Sequence, residues 1–188
     1  VDEYGRLDLE DLEDIMSISD RLVNSKILVS VLMVNNELGT VNDIQAISEI
    51  VHKYGGTLLV DCCQAVYHTL INVQRLGIDM LTFTSEKIGM PRGCGVLYIK
   101  DGVDIIPQIN GGHQEMRLRA GTENQAMIIA LGNQCERLGN NLYHCDDTDD
   151  YHFKEFVLMQ TLYNAIIHAA QDVCDVIFNV PLKYSSRN

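Results

Sequence analysis

The sequence has little positive charge and no long hydrophobic run. Its 188 residues include 14 Lys and Arg against 26 Asp and Glu, which gives a formal net charge of −12. This acidic balance argues against nucleic acid as a partner, because phosphate binding requires a basic face. No apolar run reaches the roughly 18–20 residues that cross a bilayer, and no secretory-type leader is visible. The length is enough for one domain with a sizeable core, and we expect neither a nucleic-acid nor a membrane partner.

The sequence also lacks the cysteine spacing of a zinc site or a thioredoxin-like pair, since no two cysteines form a C-x-x-C motif. A chain of this size does not need disulfides, so we predict reduced thiols in the cytoplasm or, as an alternative, the mitochondrial matrix. The acidic stretch HCDDTDDYH at 144–152 could suggest a metal site, but its spacing matches neither calcium loops nor common zinc patterns, and we predict none. The six cysteines are Cys62, Cys63, Cys94, Cys135, Cys145 and Cys174.

Apolar runs alternate with helical stripes along the chain. This order predicts an α/β fold, with a mainly parallel sheet and flanking helices. The first apolar run, ILVSVLMV at 27–34, is typical of a strand buried on both faces. The other predicted strands are 57–61, 80–85 and 93–100, and the predicted helices are 7–16, 43–54, 123–139 and 152–170.

Polar side chains follow three of the predicted strands. Asn36 follows the first, Asp61 and Gln64 follow the second, and Glu86 and Lys87 follow the third. Because ligands of open α/β sheets bind at the carboxyl ends of the strands, we expect these side chains to lie close together.

Together these residue types match the needs of pyridoxal 5′-phosphate. Lys87 could form an imine with the aldehyde, and Asp61 could hold the pyridine nitrogen protonated. Asn36 and Gln64 could donate to the phenolic oxygen, and Thr84 offers a hydroxyl to the phosphate. Each residue alone also has an ordinary interpretation as a helix cap, a turn residue or a solvated cation, so the inference depends on their combination.

Five segments raise this combination above chance. They are VNNELGT (34–40), VDCCQA (60–65), TFTSEK (82–87), GGHQE (111–115) and LRAGTEN (118–124). With them, residues 1–140 resemble the cysteine desulfurase/selenocysteine lyase family, within the class-V aminotransferase-like, fold-type I enzymes that use pyridoxal phosphate. The resemblance implies the large-domain fold of those transferases, as an incomplete chain.

The resemblance also implies roles for single residues. It makes Lys87 the imine lysine, places Asn36, Asp61 and Gln64 on the cofactor, and places Cys63 on the ring face, where a small residue is usual. Thr122 corresponds to a threonine that reaches the phosphate in the neighbouring subunit, which implies a homodimer. The implied reaction takes sulfur from L-cysteine, leaving L-alanine and an enzyme-bound persulfide for acceptor proteins. Removal of selenium from selenocysteine is the alternative.

The sequence departs from the family pattern beside the lysine. The family usually has a phosphate-contacting His at the position of Glu86, and the usual Tyr is missing from Lys87-Ile88-Gly89-Met90-Pro91. A carboxylate repels a phosphate, so Glu86 must turn away, become protonated, or weaken cofactor binding. A diverged, non-catalytic or truncated relative is therefore a second interpretation. A transaminase of the same fold is a third, which LRAGTEN disfavours.

The resemblance divides the chain at about residue 140. We expect residues 1–140 to form the central part of the large cofactor-binding domain, and residues 141–188 to form a connecting segment and the start of a small domain. The first residue is Val1. The family's phosphate-binding loop and ring-stacking His fall upstream, and its sulfur-accepting Cys and substrate-binding Arg fall downstream. We therefore expect an incomplete chain.

Overall fold

The computed structural model describes residues 1–19, 26–143 and 151–170. The acidic stretch 144–150, with Cys145, and the segment 171–188, with Cys174, lie outside the described residues. Two short 3₁₀ turns, Ser85–Ile88 and Glu115–Arg117, interrupt the longer elements. Those elements are α1 (Leu9–Ser19), β1 (Leu28–Leu32), α2 (Ile44–Lys53), β2 (Thr57–Asp61), β3 (Met80–Thr84), β4 (Gly95–Ile99), α3 (Gln125–Tyr143) and α4 (Tyr151–Ala170).

The four strands form one sheet in the order β1-β2-β3-β4. β1 and β2 are parallel, β2 and β3 are parallel, and β4 returns antiparallel to β3. The parallel connections follow because a helix or a turn-rich segment carries the chain back between strands, whereas residues 85–94, with the 3₁₀ turn Ser85–Ile88, reverse the chain from β3 into β4. The predicted mainly parallel α/β sheet with flanking helices is confirmed.

The prediction that the first strand is buried on both faces is wrong. Leu28 is 58% exposed and Leu32 is 37% exposed, while Val31 is buried. Among the described strands β1 pairs only with β2, and only the face that carries Val31 is covered. The apolar run looked fully buried because it continues past the strand into Met33 and Val34, which do lie in the core.

Helices α1 and α2 cover the parallel strands with apolar side chains. Met16 of α1 and Ile47 and Val51 of α2 are almost fully buried against Leu58 and Val60 of β2. Each such side chain stabilises the fold by roughly 1.5–3 kcal/mol relative to an exposed one. These few side chains account for the attachment of the helical layer to the sheet.

The ends of α2 follow signals that the sequence carries. The Asp43 side chain accepts a hydrogen bond from the Ala46 N–H at 3.1 Å, as an N-cap does. After the last turn, Gly56 passes so close to Val51 and Met16 that a Cβ would lie 2.9 Å and 3.0 Å from their side-chain carbons. Glycine is therefore required where the chain turns into β2.

A second apolar cluster attaches α3 to the far end of β3. Its buried members are Ile88, Leu131 and Leu138, with Phe83 and Val96 packed beside them. In the described parts of the chain, no helix has both the length and the apolar character needed to cross a membrane.

A buried carboxylate joins three elements at the edge of the sheet where β3 begins. The Asp79 side chain accepts from the backbone N–H of Leu58 at 2.9 Å, from His52 Nε2 at 2.7 Å and from Lys100 Nζ at 3.0 Å. Burial alone raises the pKa of Asp79, but these three donors outweigh it and hold that pKa below its ordinary value. Asp79 therefore ties α2, β2 and the end of β4 together as an ionised group.

We expect Asp79→Asn to lower the free energy of unfolding by about 1–3 kcal/mol at neutral pH, because the amide keeps the Leu58 bond and loses the charge. A depressed folded-state pKa gives stability that is present above the unfolded value near 4 and is lost as pH falls through the folded value. The difference between wild type and variant should therefore be present at neutral pH and shrink below about pH 4. Urea denaturation followed by circular dichroism at several pH values measures it.

Asp101→Asn is the matched control, because Asp101 is an exposed carboxylate near the same end of β4. It should change the free energy of unfolding by less than about 0.5 kcal/mol. An Asp79→Asn protein as stable as the Asp101→Asn protein at neutral pH would contradict the structural role of Asp79.

Candidate active site

The carboxyl ends of the three parallel strands meet at one edge of the sheet. Past the end of β1, the Met33 N–H donates to the Asp61 carbonyl at 2.9 Å, and past the end of β2, the Cys62 N–H donates to the Thr82 carbonyl at 2.8 Å. Backbone hydrogen bonding between the strands therefore continues past the ends of β1 and β2. It holds the polar residues that follow these two strands beside the end of β3. This is the edge where an open α/β sheet binds its ligand.

Lys87 lies on a short turn whose other side chains are anchored. The 3₁₀ turn Ser85–Ile88 has Ser85 and Ile88 buried, whereas Lys87 is exposed. The Ser85 hydroxyl donates to the Pro91 carbonyl at 2.7 Å, and the Ser85 N–H donates to the Cys94 carbonyl at 2.9 Å. A fixed backbone therefore presents the Lys87 side chain at the strand ends.

Helix α3 holds the same turn from the other side. The Gln134 amide donates to the Ile88 carbonyl at 2.7 Å, and Leu131 and Leu138 pack on the Ile88 side chain. The sequence analysis did not identify Gln134. A signal was present, because Gln134 lies three residues after Leu131 and four before Leu138, so it is a polar residue within the apolar stripe of the helix.

Asp61 and Cys63 form a compact pair at the end of β2. The Cys63 N–H donates to Asp61 Oδ1 at 2.9 Å, and the thiol is also hydrogen-bonded to the Asp61 side chain. Burial, helped by this bond and by the charges of Asp61 and Glu86, raises the pKa of the Cys63 thiol to about 11, while the charge of Lys87 opposes the rise. Asp61, Cys63, Glu86 and Lys87 therefore share one electrostatic neighbourhood, although up to 26 positions separate them in the sequence.

Glu86 and Thr84 are bonded to each other. The Thr84 hydroxyl donates to the Glu86 carboxylate. This bond is the main reason why the pKa of Glu86 lies below its ordinary value, and the charges of Arg92 and Lys87 lower it further. Of the three outcomes considered for Glu86, protonation near neutral pH is therefore contradicted.

In the turn after β1, the neighbouring residues Asn35 and Asn36 have different roles. Asn35 Oδ1 accepts from the backbone N–H groups of Glu37 and Leu38, each at 2.9 Å, so Asn35 performs turn chemistry. Asn36 is exposed, and its side chain has no hydrogen-bond partner among residues 1–19, 26–143 and 151–170. The turn thus leaves the Asn36 amide available to a ligand.

Gln64 directly follows a strand at the carboxyl edge of the sheet, whereas Thr122 lies in the loop before α3. Gln64 is half-buried in the hydrogen-bonded turn that follows Cys62, directly after β2. Thr122 is exposed in the loop before α3, and within the described chain no hydrogen bond connects it to the Lys87 turn. The same described ranges contain no group of three or more His, Cys, Asp or Glu that could hold a metal ion.

Comparison with known sequences places the chain in a family. The profile described as "Aminotransferase class-V" matches residues 1–168. A cysteine desulfurase IscS from Dictyoglomus turgidum is 37% identical over 159 residues, which are 82% of this chain and 39% of the relative. A second, from Methanosarcina thermophila, is 40% identical over 136 residues, which are 72% of this chain and 32% of that relative. The chain thus spans less than half the length of these curated relatives.

Solved structures share the fold. A NifS-like protein from Rickettsia africae superposes with a TM-score of 0.79 at 32% identity, over 88% of this chain and 44% of that one. Another structure described as a NifS-like protein has a TM-score of 0.80 at 28% identity, over 100% of this chain and 47% of that one. The strand order, the strand-end cluster around Lys87 and these matches agree, and the chain belongs to the class-V aminotransferase family, with cysteine desulfurases among its relatives.

Proposed function

We propose that this chain is part of a cysteine desulfurase that uses pyridoxal 5′-phosphate and releases sulfur from L-cysteine, leaving L-alanine. The observation that carries the proposal is the grouping of Asp61, Cys63 and Lys87 at the carboxyl edge of the sheet, in a chain whose curated relatives include cysteine desulfurases. Pyridoxal phosphate, when bound, supplies an electron sink for bonds broken at the substrate's α-carbon.

The ring end of such a cofactor fits the residues present. Its nitrogen and its aldehyde lie on opposite sides of the ring, and they require an anion and an amine in corresponding places. Asp61 would hold the nitrogen side, because its Oδ1 is oriented by the Cys63 N–H. Lys87 would hold the aldehyde side, because its anchored turn limits where the amine can go.

Five further residues would complete the site. Asn36 and Gln64 would donate to the phenolic oxygen, which lies next to the aldehyde. Thr84, the last residue of β3, and Glu86, on the Lys87 turn, would be the side chains nearest the phosphate arm. Thr122, exposed before α3, would reach the cofactor of a second subunit in a homodimer. We also propose a cytoplasmic setting, sulfur-accepting partner proteins, and a boundary near residue 140 between a large and a small domain.

Two alternative functions would involve the same residues. Selenocysteine as the substrate differs from cysteine by one atom, and no described side chain discriminates between sulfur and selenium. A non-catalytic relative is favoured by one specific observation, the ionised Glu86 beside Lys87. Retention of Asp61, Gln64 and Lys87 together favours the enzyme.

The first prediction concerns Lys87 in the full-length protein. With excess pyridoxal phosphate followed by borohydride, the wild type should carry one reduced cofactor adduct, and peptide mapping should place it on Lys87. Lys87→Ala should lose the adduct and the yellow absorbance that precedes reduction. Lys26→Ala is the control, because Lys26 is exposed and lies before β1. An adduct of equal yield in Lys87→Ala would sink the assignment.

The second prediction concerns Asp61. Asp61→Asn should keep the Cys63 N–H bond through its amide oxygen but lose the charge that pairs with the ring nitrogen. Turnover, assayed as sulfide and alanine together, should fall by about two orders of magnitude or more. Borohydride trapping at Lys87 should persist, which separates lost chemistry from lost binding. Activity near that of the wild type would mean that another group pairs with the nitrogen.

A further inference from the structure

A single peptide group closes the turn that carries Lys87, and it is held at both of its polar ends. The group joins Ile88 to Gly89. Its N–H donates to the Ser85 carbonyl, which completes the 3₁₀ turn, and its C=O accepts from the Gln134 amide at 2.7 Å. The two bonds leave the group in opposite directions, because a trans peptide is planar. Together they fix the orientation of that plane.

Gly89 makes this peptide group easy to rotate. Its φ is +80°, in the left-handed region, and glycine adopts positive and negative φ about equally readily. Apart from its chain neighbours, the described residue nearest to a Cβ at Gly89 would be Gln134, whose nitrogen would lie 3.8 Å away. Hydrogen bonds, rather than packing at Gly89, therefore hold the peptide group in place.

The direction of the Lys87 side chain depends on that plane. Lys87 is exposed between Ser85 and Ile88, which are both buried. On one side of Lys87, the hydroxyl and the N–H of Ser85 each donate to a backbone carbonyl of the chain that leads into β4. On the other side, Gln134 supplies the polar anchor through the Ile88 carbonyl. The main chain at Lys87 is thus fixed from both sides.

Loss of the Gln134 donor would leave a buried acceptor without its partner. Ile88 is 0% exposed and packs against Leu131 and Leu138 of α3. A buried carbonyl without a hydrogen bond is destabilising, so the peptide group would rotate toward water or another donor. That rotation takes the Gly89 N–H away from its acceptor and opens the turn beside Lys87.

We infer that Gln134 is a positioning residue for Lys87: its amide locks the peptide between Ile88 and Gly89, and the locked peptide holds the Lys87 amine where an aldehyde ligand meets it. The inference rests on the proposed function, which makes Lys87 the attachment point of the cofactor. It goes further, because it assigns part of that attachment to a side chain on α3, outside the strand ends.

The test measures how fast Lys87 captures an aldehyde in the full-length protein. Condensation of the Lys87 amine with pyridoxal phosphate releases water and gives a visible absorbance, which Lys87→Ala should lack. Gln134→Met and Gln134→Ala both remove the donor, the first at similar side-chain length. Each should slow the appearance of this absorbance by about tenfold or more, because a small displacement of a reacting group has a large effect on rate. Gln134→Lys restores an N–H donor and should recover the wild-type rate to within about threefold.

A second readout needs no ligand. Hydrogen exchange of residues 85–91, followed by mass spectrometry in the ligand-free protein, reports whether the turn opens. Exchange should become about tenfold or more faster in Gln134→Met, because the Gly89 N–H loses its acceptor when the peptide group rotates. Gln134→Lys should return the exchange to near the wild-type rate.

Two control variants separate positioning from stability. Asn133→Met changes the neighbouring exposed polar residue of α3 and should leave both the capture rate and the exchange unchanged. Leu138→Val weakens the packing on Ile88 but keeps the Gln134 bond. It should lower the unfolding temperature, because it removes buried apolar volume, and leave the capture rate within about twofold of the wild type.

Each outcome bears on one of the two claims. If the wild type gives no Lys87-dependent absorbance, the proposed function fails and the inference fails with it. If the wild type gives that absorbance and Gln134→Met captures the aldehyde as fast as Asn133→Met, the inference is overturned and the proposed function stands. A capture rate that simply follows the unfolding temperature across the variants, Leu138→Val included, would also overturn it, because Gln134 would then be a stabilising residue only.

Discussion

The pairing of β2 with a parallel strand on each side is the constraint on which the site depends. It brings Asp61 beside Met33 of the first connection and beside Thr82 of β3, and it continues by one hydrogen bond past the end of β1 and of β2. A shift of one residue in this register would turn Asp61 to the other face of the sheet. The strand ends would then no longer direct their polar side chains toward one ligand.

Two anchors keep this register at opposite edges of the sheet. At the edge where β3 begins, Asp79 joins α2, β2 and the end of β4 through one carboxylate. At the ligand edge, Ile88 is buried against α3, and Gln134 holds its carbonyl. The ligand edge combines a rigid backbone with an exposed Lys87, which is the arrangement that a covalent attachment point requires.

The sequence predicted the elements well because their signals are local. Asp43 and the Gly55-Gly56 pair mark the ends of α2, and the apolar runs locate β2, β3 and β4 within two residues. It located β1 but failed for its burial, because an apolar run cannot show whether both faces of a strand are covered. The family resemblance, which rested on short segments around Asp61, Lys87 and Thr122, is confirmed by the match over residues 1–168.

The interactions inside the site were harder to predict, since they join residues that only the fold brings together. The Thr84 bond to Glu86 depends on the rotamers at a strand end, and the contact of Gln134 with Ile88 spans 46 positions. The roles of Asn36, Gln64 and Thr122 toward a ligand remain predictions. A departure from a family pattern, such as Glu86, was visible in the sequence, but its ionisation state followed only from its neighbours.

The thiols at the end of β2 have a consequence for the chemical durability of the protein. With pKa values of about 11 for Cys63 and about 12 for Cys62, only about one Cys63 thiol in 10⁴ is ionised at pH 7, and fewer still for Cys62. Alkylating agents, peroxide and sulfane sulfur all react with thiolates, so these two cysteines should be inert to them. A protein that handled reactive sulfur at this edge of the sheet would thereby keep these two thiols unmodified.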